Sequence, residues 1–191
     1  MRKKRFIILP KISIIRLIAL FMSCMLTACD LISIRLNEVT ATAPLNLTNY
    51  IGEIPADAQG LLDISLPACV QDLSEYQIAY VTRVIDGDSI EVIVDGEKEQ
   101  VRYIGVNTPE YYSEERDAAV AATHVNRALV EGQYVLLVRD LSDRDKYERL
   151  LRYVFTTGGF VNYELVKEGA AEVKEYPPDI ACHEYLLLAD P

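Results

Sequence analysis

Residues 76–106 read as three successive strands, and that run constrains the fold more than any other part of the chain. "YQIAYVTRVI" alternates apolar and polar positions until "DGD" breaks it. "SIEVIV" alternates again, "DG" at Asp95 and Gly96 is a hairpin turn, and "EQVRYIGV" returns. A period of two turns one face of each strand to a core, and Asp-Gly supplies the turn that joins them. A helical pattern follows. Ser113 is its cap, Glu114 and Glu115 suit the first turn, and Gly132 is the stop; Ala118, Ala122, Val125 and Leu129 share one apolar face. "YVLLVRD" and "LLRYVFTT" are two more strands around a charged loop. "VNYELVKEG" is a short helix closed by Gly169, and "CHEYLLLAD" begins another. This order predicts an α+β fold, a five-stranded OB-type β-barrel with packed helices, over residues 69–191.

The N-terminus belongs to a different account. "MRKKRF" is basic, and "LIALFMSCMLTAC" is an apolar run ending in small residues. It is too short for a spanning helix, which takes about 20 apolar residues; a transmembrane anchor interrupted by Arg16 is the competing reading. Leu26 to Cys29 resemble the lipobox of bacterial lipoproteins. The resemblance implies a signal peptide over 1–28, an acylated Cys29, and a chain anchored to the membrane by lipid outside the cytoplasm. Residues 29–68, with Pro44, Pro55 and Pro67 and no clear period, read as a tether, although "GLLDISL" is apolar enough to pack on the domain. Cys69 and Cys182 are then left over, and in an oxidising compartment they are expected to form a disulfide, two free buried thiols being the alternative.

Charge argues against a simple polyanion binder. Six of the 19 basic residues precede Cys29 and none of the 29 acidic ones does. That leaves 13 against 29 beyond it, a formal balance of −16 where the whole chain has −10. Such a surface repels nucleic acid at long range.

Local chemistry points the other way. "DGD" at Asp86 to Asp88 is an ordinary turn if taken alone, but "VNTPE" adds a second oxygen cluster with Asn107, the Thr108 carbonyl and Glu110. Hard cations such as calcium take six to eight such oxygens. Arg102 precedes that cluster, and Arg149 ends a loop carrying Asp145, Lys146 and Tyr147. Fixed guanidinium groups suit the charge that gathers on a phosphodiester in its transition state. By itself the loop is a solvated charge run. His124 and His183 each stand alone on a helix and receive no role.

"VIDGDSIEV", "VRYIGVNTPE", "DKYERLLRYVF" and "VNYELVKEGAAEV", in this order, resemble the staphylococcal-type nuclease family across residues 76–188. The resemblance implies an OB barrel with helices and calcium-dependent hydrolysis of DNA or RNA, with no protein partner. It places Asp88, Asn107 and the Thr108 carbonyl on the metal, Glu110 on the attacking water, and Arg102 and Arg149 on the scissile phosphate. Lys146 and Tyr147 then meet a neighbouring phosphate, and Tyr176 falls near the base-stacking tyrosines. Three departures stand out. Asn107 occupies a position that is commonly aspartate, Glu148 one that is usually glycine, and Pro191 ends the chain early in a final helix that Cys69–Cys182 would tie back. Asn107, Glu148 and the acidic surface also feed a rival expectation, a non-catalytic OB module of the cell envelope.

Overall fold

The computed structural model describes residues 43–44, 54–73, 75–112 and 114–190. The expected leader over 1–28, the expected acylation site Cys29 and the expected cap Ser113 lie outside them. Strand β1 (Tyr76–Asp86), β2 (Ser89–Val94) and β3 (Glu97–Tyr103) form the antiparallel meander, with Val94 opposite Glu97 across the Asp95–Gly96 turn. A two-residue strand β4 (Val106–Asn107) follows, then helix α1 (Arg116–Val130). β5 (Tyr134–Val138) pairs antiparallel with the first half of β1 and with β6 (Leu150–Thr156). β6 also runs parallel to β3, setting Val101 opposite Leu150 and Arg102 opposite Leu151, and this pairing closes the five-stranded barrel. Two register shifts along β1 supply the bend that closure needs.

Beyond the barrel come β7 (Gly159–Phe160), α2 (Val161–Lys167), β8 (Glu172–Val173) and α3 (His183–Leu186). β8 pairs with β4, placing Glu172 opposite Asn107. Inside, Val81, Ile90, Val92, Val101, Leu136 and Val154 are fully buried. Each such side chain contributes about 1.5–3 kcal/mol relative to exposure.

The apolar face of α1 differs from the expected one. Ala119, Ala122, Asn126 and Val130 are buried, Val125 and Leu129 are half-buried, and Ala118 is exposed. The seat taken by Asn126 is polar for a reason. Its Nδ2 donates to the Asp86 carbonyl at 2.8 Å and its Oδ1 accepts from the buried Tyr103 hydroxyl at 2.9 Å. Helix face and sheet turn are joined through that amide.

The expected tether runs too far along the chain. A 3-10 segment (Ala56–Asp63), a short strand (Ser65–Leu66) and a helical turn (Ala68–Gln71) precede β1. Ala58, Leu61, Ile64 and Leu66 belong to the same hydrophobic core as the barrel. Pro55 and Pro67, which read as linker residues, each sit just before a helical start, where a fixed φ and a missing N–H do no harm. Cys69 and Cys182 form a disulfide across 113 residues, with a Cα–Cα distance of 5.1 Å, and so link this segment to α3.

Candidate active site

The strand exit after β3 forms a wall of two clefts, giving Arg102 and Tyr103 to one and Thr108 and Glu110 to the other. The first, of about 470 Å³, is lined by Asp86, Asp88, Thr108 and Glu110 together with one side of α1. The second, of about 380 Å³, is lined by Arg102, Lys146, Tyr147, Arg149, Tyr176 and their neighbours. An ion pair from Arg102 Nε to Asp88 Oδ1 at 3.3 Å spans the wall.

Asp-Gly-Asp is built for this position. Asp86 Oδ1 accepts from the Asp88 N–H at 3.1 Å and from the Ser89 hydroxyl at 2.5 Å, which folds the turn onto itself. A Cβ at Gly87 would lie 2.7 Å from Thr108, so only glycine lets that side chain approach. Asp88 Oδ2 then accepts from the Thr108 N–H at 2.7 Å and from its hydroxyl at 2.9 Å. Burial raises the Asp88 carboxyl. Arg102 and the Thr108 bonds pull it down, and the Asp86 charge pushes it up again.

Arg102 is the hub of the second cleft. It donates to the carbonyls of Tyr103 (2.8 Å) and Val106 (3.0 Å), which locks its stem to the strand exit. Its outer nitrogen reaches Asn107 Oδ1 and the Tyr176 hydroxyl, each at 3.4 Å, and its guanidinium lies 5.6 Å from the Tyr176 ring centre. The Tyr176 hydroxyl donates to Asn107 Oδ1 at 3.1 Å, which sets this tyrosine beside the strand exit. Burial raises that hydroxyl and the Arg102 charge lowers it.

Arg149 faces the same cleft in a different setting. Its Nε and outer nitrogen meet Asp145 Oδ2 at 2.8 and 2.7 Å, and the backbone N–H groups of Tyr147 and Arg149 donate to Asp145 Oδ1. Burial alone would raise the Asp145 carboxyl, but these bonds hold it below the usual carboxylate range. Lys146 and Arg149 both lie over the Tyr147 ring, at 4.9 and 5.5 Å. Glu148 is exposed, with a left-handed φ of 65°. Asp145, which sequence reading left without a role, is the residue that orients Arg149. Asp179 is a second omission. Buried, it accepts from the N–H groups of Leu141 and Ser142 and so joins the Tyr176 turn to the charged loop. Both are short carboxylates at turns, and that was the available signal. His183 is not alone either: its Nε2 lies 3.2 Å from Glu175.

For a hard divalent cation the donor set fits in part. The charge of neighbouring Asp86 adds to the cost of ionising the buried Asp88, and a cation there would relieve it. Among the described residues, no three His, Cys, Asp or Glu side chains form a metal-holding group, so carbonyl and water oxygens must complete any coordination. Asn107 is the misfit. Its one side-chain oxygen is already engaged by Tyr176 and Arg102.

A family model described as staphylococcal nuclease homologue matches residues 100–189, a span that includes Arg102, Asn107, Glu110, Arg149 and Tyr176 and begins after Asp88. The chain is 41% identical over 102 residues to a thermonuclease of Staphylococcus intermedius, covering 52% of this chain and 61% of that one. It is 43% identical over 97 residues to endonuclease YncB of Bacillus subtilis, covering 48% and 45%. A thermonuclease of Staphylococcus hyicus is 36% identical over 112 residues, covering 57% and 66%. The chain thus spans between about half and two thirds of the length of these relatives.

Proposed function

Through residues 100–189 this chain belongs to the staphylococcal nuclease family, and from that premise we propose that it hydrolyses phosphodiester bonds of single-stranded DNA or RNA. Calcium is its cofactor in this reading. Asp88 and the Thr108 carbonyl would hold the ion, and Asn107 would contribute only if its amide turned. Bound there, calcium would supply positive charge against the negative charge that develops on a phosphodiester. The chain's own groups do the rest. Arg102, locked by two backbone carbonyls, presents its outer edge to the scissile phosphate without having to order itself first. Arg149 adds a second guanidinium from across the cleft. Glu110 orients a water and takes its proton as oxygen adds to phosphorus and the bond to the leaving sugar oxygen breaks. Lys146 and Tyr147 hold the adjacent phosphate, and Tyr176 stacks a base.

One observation carries this reading: Arg102 pairs with Asp88 on one side and faces Tyr176 and the Arg149 cleft on the other. A phosphate placed between the clefts meets carboxylates, guanidinium groups and an aromatic ring together. Location follows the leader sequence: a lipid on Cys29 tethers the enzyme outside the cytoplasm. The rival, a binding module without catalysis, draws on the Asn107 oxygen being taken up by Tyr176 and Arg102 and on Arg149 being spent on Asp145. Release of acid-soluble nucleotides from denatured DNA separates the two. Calcium-dependent release lost in Arg102→Ala and Glu110→Gln is the expected result, whereas binding without release at any calcium concentration selects the rival.

A further inference from the structure

Two tyrosines just past the strand exit have no part in the site described so far. Tyr111 is 44% exposed and Tyr112 is 98% exposed, immediately after Glu110. Their rings meet edge to face at 5.3 Å. The Arg116 guanidinium lies 4.6 Å from the centre of the Tyr111 ring and donates to its hydroxyl at 2.5 Å. Both tyrosines line the carboxylate cleft, opposite Thr123 and Arg127 of α1.

We propose that Tyr111, Tyr112 and Arg116 form a second nucleotide subsite, on the far side of Glu110 from Lys146, Tyr147 and Tyr176. The proposal rests on the nucleic-acid reading above and names where the other arm of the strand goes. Successive Cα atoms are about 3.8 Å apart, so both rings start within about 8 Å of the Glu110 backbone, in reach of the nucleotide next to the scissile phosphate. The exposed Tyr112 ring and the uncovered face of Tyr111 can stack bases of any identity, and Arg116, with one outer nitrogen on the Tyr111 hydroxyl, has its remaining N–H groups for a phosphate. A single strand then enters over one aromatic–cationic cluster, crosses the wall at Arg102 and Asp88, and leaves over another. Such an arrangement suits a chain whose net charge is −10, because it grips the strand by stacking where long-range attraction is missing.

Anisotropy of end-labelled oligothymidylates, from dinucleotide to octanucleotide, tests this with the full chain and a chelator to stop cleavage. Wild type is expected to bind more tightly as the strand lengthens. Tyr111→Ala/Tyr112→Ala should lose about tenfold per ring on the longer strands and keep the dinucleotide affinity. Tyr111→Phe/Tyr112→Phe should restore the gain, and Arg116→Ala should lower the salt slope by about one. An alanine variant that tracks wild type at every length overturns the subsite and leaves the nuclease reading standing. A wild-type chain that binds no strand of any length, and that releases no nucleotides from denatured DNA once calcium is restored, removes both.

Discussion

Position 107 decides how many oxygens the strand exit offers. An asparagine has one, and here Tyr176 and Arg102 share it, leaving an NH2 group that repels a cation. An aspartate has two and can keep both contacts while turning the second oxygen toward Asp88. Asn107→Asp is therefore expected to tighten calcium binding by about an order of magnitude, since affinity follows the ligand charge count. Calorimetric titration checks it, and overlapping isotherms would refute it. Glu148 poses a separate residue-scale problem. Its φ of 65° costs a side-chain-bearing residue about 1–2 kcal/mol, partly offset because glycine loses more freedom on folding. Glu148→Gly should stabilise the protein by about 0.5–1 kcal/mol in denaturant melts. Its side chain is not what occupies Arg149; Asp145 is.

Elements carry the next level of order, and the charged loop between β5 and β6 shows how. Arg144 forks onto Glu99 of β3 at 2.7 and 2.9 Å, and Asp145 gathers Arg149 and two N–H groups. The Arg144 bonds lower the Glu99 carboxyl, and Asp145 is lowered against its burial. Both folded pKa values lie below the unfolded ones, so their stabilisation is complete above about pH 4 and is lost as pH falls through the depressed values. Protection of residues 140–149 against hydrogen exchange, corrected for the intrinsic rate, should fall below about pH 4 ahead of the barrel strands, and Glu99→Gln should abolish part of that step. Uniform exchange across loop and barrel would contradict it. The strands around this loop were legible in the sequence because a period of two and the Asp95–Gly96 turn are local signals. Arg102, Glu110 and Arg149 were legible as residue types in order. Asn126 and Asn162 were not: both are fully buried amides whose partners, the Asp86 and Ile104 carbonyls, lie 40 and 58 residues away. Polar groups that bridge elements leave no periodic trace, so the face of α1 was misread at Ala118. The direction in which Asn107 points was hidden for the same reason, because Tyr176 sets it from 69 residues away.

At the scale of the molecule, the barrel and the segment ahead of it are joined in two ways that respond differently to reduction. Packing is one: Leu61 and Leu66 lie in the core, and Leu186 of α3 is fully buried. The Cys69–Cys182 bond is the other, and it constrains the unfolded chain more than the folded one. The start of α3 has holds of its own, since the Cys182 N–H donates to the Tyr153 hydroxyl and the Ala181 N–H to Asp140. Removing the bond should thus leave the fold in place and raise the entropy of the denatured state. For a loop of 113 residues this costs about 4–5 kcal/mol. Cys69→Ala/Cys182→Ala, or reductant with the native chain, is expected to lower the denaturation midpoint by that amount while circular dichroism of the folded state stays the same. Exchange should quicken first in residues 56–71 and 183–189, the two ends the bond connects, and least in β1 to β3. A midpoint unmoved by reductant would mean that packing alone sets the stability of this unit. Lost dichroism before any denaturant is added would mean that the folded state itself depends on the bond.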